Sequence, residues 1–227
     1  MNKKVTATAA TKLKIIHEDD EIIVINKPSG LLTIATDKEK VHTAYRLVNE
    51  HVQFNDRNAR VFIVHRLDQD TSGVLMFAKN TEIQNAYQKA WNHLVIKRGY
   101  YAVIEGAQKE EQGVIKCFLH KSKTNQMYSG HKSKDAKFAE THYKIIKKNE
   151  KYTLADVNIL TGRKNQIRVY FSDLGHPLVG DTKYGGNKSS LNRLGLHAYE
   201  LKIHHPLTKK LLVFKAKEPK EFLELVK

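Results

Sequence analysis

The chain has 227 residues, of which 41% are hydrophobic, enough for a packed core and too apolar for wholesale disorder. Against 24 Asp and Glu stand 39 Lys and Arg, a net charge of +15 that favours polyanionic partners without choosing between RNA, DNA and an anionic membrane surface. The single cysteine, Cys117, excludes an intrachain disulfide and a thiolate zinc cluster, and no apolar run approaches the roughly 20 residues of a membrane-spanning helix.

Met1 to Thr11 lacks a hydrophobic signal core, and residues 1–12 are expected to form a flexible segment ahead of a single domain over 13–227. Leu13 to Ile25 reads as two strands joined by the charged turn Glu18-Asp19-Asp20-Glu21. Lys27-Pro28-Ser29-Gly30 then breaks the run, since proline has no amide donor and glycine admits a sharp turn. Ala44, Leu47, Val48 and His51 share one face of a short helix. Val61 to Val64 and Val74 to Phe77 are strand-like apolar runs, with the dense polar cluster His65 to Gly73 between them. A helix is predicted from Thr81, where Thr81 and Gln84 have capping-box spacing. Ile83, Ala86, Tyr87, Ala90, Trp91 and Leu94 fall on one apolar face, which assigns Trp91 to the core.

Tyr100 to Ile104 reads as a strand ending at Gly106. From Lys109 to Lys137 the chain is polar and cationic, and two readings stand: an exposed hairpin or loop with solvated lysines, or a flexible basic finger against phosphates. Tyr143 to Ile146 and Tyr152 to Leu160 read as strands. A helix follows with Ile167, Phe171 and Leu174 on one face, ended by Gly175 and Pro177. Pro219 takes the first helical position ahead of Phe222, Leu223 and Val226. Short strands with few helices predict an α+β fold, with a mainly antiparallel mixed sheet and flanking helices and loops.

The chain has no GxGxxG or GxxxxGKS/T phosphate loop, no HExxH and no GxSxG elbow. His176 and His204-His205 have no carboxylate at metal-ligand spacing, so turn or surface roles are expected and no metal site. What remains is carboxylate and arginine chemistry. Asp68 and Asp70 project to one side if the segment is a strand and diverge if it is a turn. A carboxylate at the end of an apolar strand needs a cation to hold its charge as water is stripped away, and Arg163 and Arg168 are the candidates.

The segment His65-Arg66-Leu67-Asp68-Gln69-Asp70-Thr71-Ser72-Gly73 resembles the HRLDxxTSG motif of the RluA-type pseudouridine synthases. Asn26-Lys27-Pro28-Ser29-Gly30 resembles that family's NKPxG segment, and Tyr100, Ala102 and Gly106 its YxAxVxG strand, with Val103-Ile104 slightly altered. Thr161 to Arg168 is similar to TGRxHQIR. Gly175 to Asp181 with Tyr184-Gly185 is similar to GHPIxGDxxYG, and Leu196-His197-Ala198 and His205-Pro206-Leu207-Thr208 to its LHA and HPxT elements. The matches keep the family's order over about residues 22 to 208. Two positions depart: Asn165 stands where the family has His, which bears on substrate fit and on capping of the helix, and Tyr170 replaces a second His.

The resemblance implies a pseudouridine synthase catalytic fold with a central active-site cleft and isomerisation of uridine within RNA, in which the N-glycosidic bond breaks and a bond to C5 forms. Asp68 is implied as the essential carboxylate, as a nucleophile toward the sugar or a base at C2′, and Arg168 as its basic partner. Tyr100 is implied to stack on the target uracil, and Arg66 to enter the RNA helix as the target leaves it. Lys27, Arg163 and Ile167 are assigned with Arg66 to substrate binding, the first two as phosphate contacts or pocket support. No metal or organic cofactor is expected. The expected partner is a ribosomal or transfer RNA stem-loop, met by a cytoplasmic monomer without an obligate protein partner. With few residues ahead of Asn26, the S4 RNA-binding domain that many relatives carry is not expected here. The alternative is a non-catalytic RNA-binding protein or RNA chaperone that retains the fold.

Overall fold

The computed structural model describes residues 13–37, 39–187 and 191–227, so the expectation for residues 1–12 lies outside the described residues. The first hairpin forms as read: β1 (Ile15–Glu18) and β2 (Ile22–Lys27) are antiparallel, and Asp19 accepts the Glu21 and Ile22 amides at 2.9 and 2.8 Å. The helix α1 (Ala44–Asn55) is capped by Thr43, whose hydroxyl accepts the Arg46 N–H at 3.1 Å. Of the run Val61 to Val64 only Phe62–Ile63 pairs, as β3, before the chain enters the polar cluster. β4 (Ser72–Ala78) pairs with β2 from Ile22↔Ala78 to Lys27↔Gly73.

The next helix, α2 (Thr81–Leu94), is capped one residue earlier than the capping-box reading placed it. Asn80 accepts the Ile83 N–H at 2.8 Å, and asparagine caps at least as well as threonine. β5 (Val95–Glu105) continues directly from α2 and so starts ahead of Tyr100. The cationic stretch is an ordered hairpin, β6 (Gln112–Lys121) and β7 (Met127–Gly130), and β6 pairs along its length with β8 (Lys137–Lys148). β9 (Tyr152–Ile159), α3 (Gln166–Asp173), β10 (Leu196–His204), β11 (Leu211–Lys215) and α4 (Lys220–Leu225) complete the chain. Pro219 sits at the cap of α4 and not inside it; Phe222 is buried while Leu223 is exposed.

One sheet runs through these elements in the order β1-β2-β4-β10-β5-β9-β8-β6-β7, with β3 on β4 and β11 on β10. Every pairing is antiparallel except β10 with β4. The fold is α+β, as expected. Alternate residues of β2 and β4 feed two cores: Ile23, Ile25, Leu75 and Phe77 pack with Ala44 and Val48 of α1 and Phe171 of α3, while Ile22, Val24, Val74 and Met76 pack with Ile83 and Tyr87 of α2. Both faces are covered there, so these strands read as unbroken apolar runs without alternation.

The β4–β10 contact sets the depth of the polar loop that enters β4. Gly73 has φ +113°, and a Cβ there would lie 2.0 Å from the Ala198 carbonyl oxygen. Gly73→Ala therefore combines backbone strain with a backbone clash, and a loss of about 3 kcal/mol or more is expected, read as a shift in the urea midpoint.

Candidate active site

The loop between β3 and β4 is gripped by the segment after β2. Lys27 is fully buried, and its Nζ donates to the carbonyls of Pro28 (3.0 Å), Leu31 (2.7 Å) and Gln69 (2.8 Å). Three acceptors match the three N–H bonds of an ammonium. The Gly30 N–H adds a second bond to the Gln69 carbonyl at 3.0 Å, and the Ser29 hydroxyl donates to the Asp70 carbonyl at 2.6 Å. The buried Thr33 hydroxyl donates to the Leu67 carbonyl at 2.8 Å and accepts the Leu67 N–H at 3.2 Å. Burial pulls the Lys27 ammonium down to about 7, against the charges of Asp70 and Asp68. The phosphate contact expected of Lys27 is thereby corrected, because an ammonium with no exposed surface cannot meet a phosphate. It supports the pocket as a clamp.

With the loop pinned, the Thr71 N–H bonds the Asp68 carbonyl at 3.2 Å, so the segment is a turn. Asp68 is half-buried, whereas Arg66 and Asp70 are exposed. Facing Asp68 is the loop ahead of α3. Gln166 accepts the Thr161 hydroxyl (2.8 Å) and the Arg163 N–H (3.0 Å), and donates to the Glu140 carbonyl (3.0 Å) and Thr141 hydroxyl (2.9 Å) of β8. That knot presents Asn165 in a left-handed conformation, φ 53° and ψ 23°. Asn165 makes no capping bond with its side chain, contrary to expectation. Its Nδ2 donates to Asp68 Oδ2 at 2.6 Å. The Tyr184 hydroxyl donates to Asn165 Oδ1 at 3.1 Å and accepts the Met127 N–H of β7 at 3.2 Å. All three bonds run toward the carboxylate, which fixes the amide with its nitrogen on Asp68.

Arg168 does not pair with Asp68, and that expectation is corrected. Its Nε and Nη2 clamp Asp181 Oδ2 and Oδ1 at 2.7 and 2.6 Å, with both residues buried, and its guanidinium lies 5.2 Å from the Tyr184 ring centroid. A bidentate fork takes the carboxylate that meets it in plane, and the turn after α3 supplies Asp181 there. Burial alone would lower the basicity of Arg168; Asp181 more than offsets it, and the fields of Asp68 and Asp70 add to the same side.

Asp68, Tyr100, Arg163, Ile167 and Arg168 line one cavity of about 350 Å³. Asp68 is the only carboxylate lining it among the described residues. A second, wider cavity of about 960 Å³ shares Arg66, Asp68, Lys164, Asn165 and Arg168 with the first. Asp68 thus stands on the wall between a narrow compartment and a cation-lined groove. Burial pushes the Tyr100 phenol up to about 12, with Arg98 opposing and Asp68 adding to the rise. Tyr100 therefore remains a phenol at neutral pH and offers a flat face and a donor. Ile167 is buried on the cavity floor, and Arg163 is exposed at its edge with Nε on the Phe138 carbonyl at 2.9 Å. Among the described residues no group of three His, Cys, Asp or Glu is placed to hold a metal ion, and no helix is long and apolar enough to cross a membrane.

The arrangement can hold a flat heterocycle between a phenol and an apolar floor, beside one carboxylate, with an anionic strand outside. The sequence reading gave no role to Asp181 or Tyr184 and no carboxylate contact to Asn165. Their signal lay in the GDxxYG segment and in the amide at a histidine position, both visible but unpaired.

A family model described as RNA pseudouridylate synthase matches residues 21–173. The uncharacterised RNA pseudouridine synthase YhcT of Bacillus subtilis is 35% identical over 216 residues, covering 94% of this chain and 71% of that protein. The dual-specificity RNA pseudouridine synthase RluA of Vibrio cholerae is 33% identical over 198 residues, covering 86% and 78%. Human RNA pseudouridylate synthase domain containing 4 shares the fold, with a TM-score of 0.73, 23% identity and coverage of 92% and 90%.

Asp181→Asn leaves the buried Arg168 guanidinium without its counter-charge. A loss of about 3–5 kcal/mol of folding stability is expected from equilibrium urea unfolding, and native stability would show that the pair is not structural.

Proposed function

The chain belongs to the RNA pseudouridylate synthase family and isomerises uridine in RNA, and on that premise we propose that Asp68 is the essential carboxylate of the reaction. The observation that carries the assignment is the lone carboxylate of the narrow cavity, fixed by an amide at 2.6 Å. In the reaction the N1–C1′ bond breaks, the uracil rotates, C5 bonds to C1′, the C5 proton leaves and N1 takes up a proton. An ionised Asp68 serves either entry to it, by attack on the sugar or by removal of the C2′ proton.

Asn165 orients Asp68 in this reading. Its amide bonds one carboxylate oxygen and carries no titratable proton of its own. Tyr100 stacks on the target uracil, Ile167 packs beneath it, and Arg163 meets a phosphate at the cavity edge. Arg66, exposed on the rim shared by the two cavities, fills the space left in the RNA helix when the target is extruded, a displacement costing about a few kcal/mol that the pocket contacts offset. Arg168 acts at a distance, as a positive field behind Asp68 that Asp181 holds in place. The same reading extends to a ribosomal or transfer RNA stem-loop as target, a cytoplasmic setting and one catalytic domain over 13–227. The net charge of +15, the lone cysteine and a relative named ribosomal large subunit pseudouridine synthase D support it.

The test is release of tritium from RNA labelled at uracil C5. Asp68→Asn is expected to reduce release to background while RNA is still bound; turnover in that variant would sink the assignment. A wild-type protein that binds RNA and releases nothing would be a binding protein or chaperone. Asn165→Leu removes a hydrogen bond to a charged group, so kcat should fall about ten- to a hundredfold at unchanged KM, and Asn165→His, which can donate an N–H to the same oxygen, should recover most of it. Native kcat in Asn165→Leu would remove Asn165 from the mechanism.

A further inference from the structure

Trp91 is the single tryptophan of the chain, and it joins the core that its spacing predicts on one side only. Ile83, Tyr87 and Leu94 of the same face are buried, but α2 loses helical geometry at Ala90 (φ −117°, ψ 16°), directly before Trp91. Trp91 is half-buried, packs one side on the second core, and lines the narrow cavity together with His65, Asn92 and Arg98. Its ring stacks on His65, with centroids 5.2 Å apart and planes at 29°, and the Tyr87 ring meets it edge-on at 6.5 Å. His65 is fixed as well: its Nε2 accepts the Met76 N–H at 3.0 Å, and burial, aided by the Arg98 charge, pulls its imidazole down to about 3. The stack is therefore an uncharged aromatic surface at any physiological pH.

Two guanidiniums line the same cavity. Arg98 of β5 donates to the Leu160 carbonyl and lies against Gly162, where a Cβ would be 2.8 Å from its Nη1. Arg163 follows on the same loop, and its charge opposes that of Arg98, which burial already disfavours. Neither has a carboxylate within 4.0 Å among the described residues. Two like charges that line a cavity and pair with no carboxylate disfavour each other, and an anion brought to them relieves that. The target uracil is provided for in the same cavity by Asp68, Tyr100 and Ile167, so the Trp91–His65 stack is an aromatic surface in excess of what one base needs.

We propose that Trp91, stacked on His65 and flanked by Arg98 and Arg163, is a subsite for the nucleotide adjoining the target uridine, its base laid on the aromatic pair and its phosphate met by the guanidiniums. A flat neutral π surface beside unneutralised cations is the recognition chemistry of single-stranded nucleic acid, tolerant of base identity and specific for an unstacked strand. The subsite rests on the reading that Asp68 modifies RNA and adds to it a second nucleotide held out of the stack.

The single indole gives its own readout. Asp68→Asn protein is titrated with bulk RNA from cells lacking this protein, and indole emission is followed beside filter retention of the RNA. Saturable quenching that tracks retention is expected. With the Asp68-intact protein and the same RNA labelled at C5, Trp91→Leu, which keeps apolar volume without a ring, should raise KM about tenfold at unchanged kcat, and Trp91→Phe should stay near the native value. Indole emission that does not change at RNA concentrations saturating the filter assay would overturn the subsite, as would native KM in Trp91→Leu. The two readings fail separately. Tritium release without quenching removes the subsite alone, and quenching without release leaves the subsite and removes the catalytic assignment.

Discussion

The ammonium of Lys27 has no exposed surface, and its three carbonyl partners belong to two segments about forty residues apart, 28–31 and the loop at Gln69. Removing such a charge from water costs several kcal/mol, about as much as a small domain can lose, and only complete hydrogen bonding offsets it. The loop that carries Asp68 is therefore not free to relax: Gln69 is held twice, Leu67 is held twice by Thr33, and Gly73 seats the end of the loop against β10. Asp68 is half-exposed on a turn, yet its backbone is fixed from both sides. Rigid backbone under a reactive side chain is what lets an approach of a few ångströms be set in advance of substrate binding.

Around that turn the positive charges divide into two groups. Lys27 and Arg168 are buried and committed, the first to carbonyls and the second to Asp181. Arg66, Arg98, Arg163 and Lys164 line the cavities without a carboxylate partner among the described residues. The large net charge is thus unevenly useful: part of it holds the fold, and the part that faces the cavities awaits a polyanion. The carboxylate itself is held by a neutral amide, and a phenol holds that amide and links it through Met127 to the β6–β7 hairpin, so no side chain in this line changes charge near neutral pH.

Much of the fold was legible because it follows from local rules. The hairpin of β1 and β2 was marked by a charged turn between apolar runs, and α1, α2 and α3 by their apolar spacing. Boundaries were less legible. Asn80 and Thr81 are both competent caps, and which one caps α2 depends on where β4 releases the chain. The cationic stretch from Lys109 leaves hairpin, loop and flexible finger open because lysines dominate it, and pairing of β6 with β7 and β8 supplies the backbone bonds that decide for the hairpin. Trp91 meets the core on one side only: a 3.6-residue period assumes a regular helix, and the irregularity at Ala90 ends that assumption one residue before the ring.

The sequence by itself determined the chemistry available: a carboxylate at Asp68, a tyrosine at position 100, arginines at 66, 163 and 168, and the order of motifs that identifies the family. Tertiary structure decided which of these groups touch. Arg168 lies 13 residues from Asp181 and takes it, while Asp68 receives its hydrogen bond from an asparagine 97 residues away. A buried guanidinium accepts whichever carboxylate arrives in bidentate geometry, because the energy falls steeply once the fork is misaligned. Such alignment is set by how α3 and its flanking turns sit on the sheet, and no spacing along the chain encodes that angle.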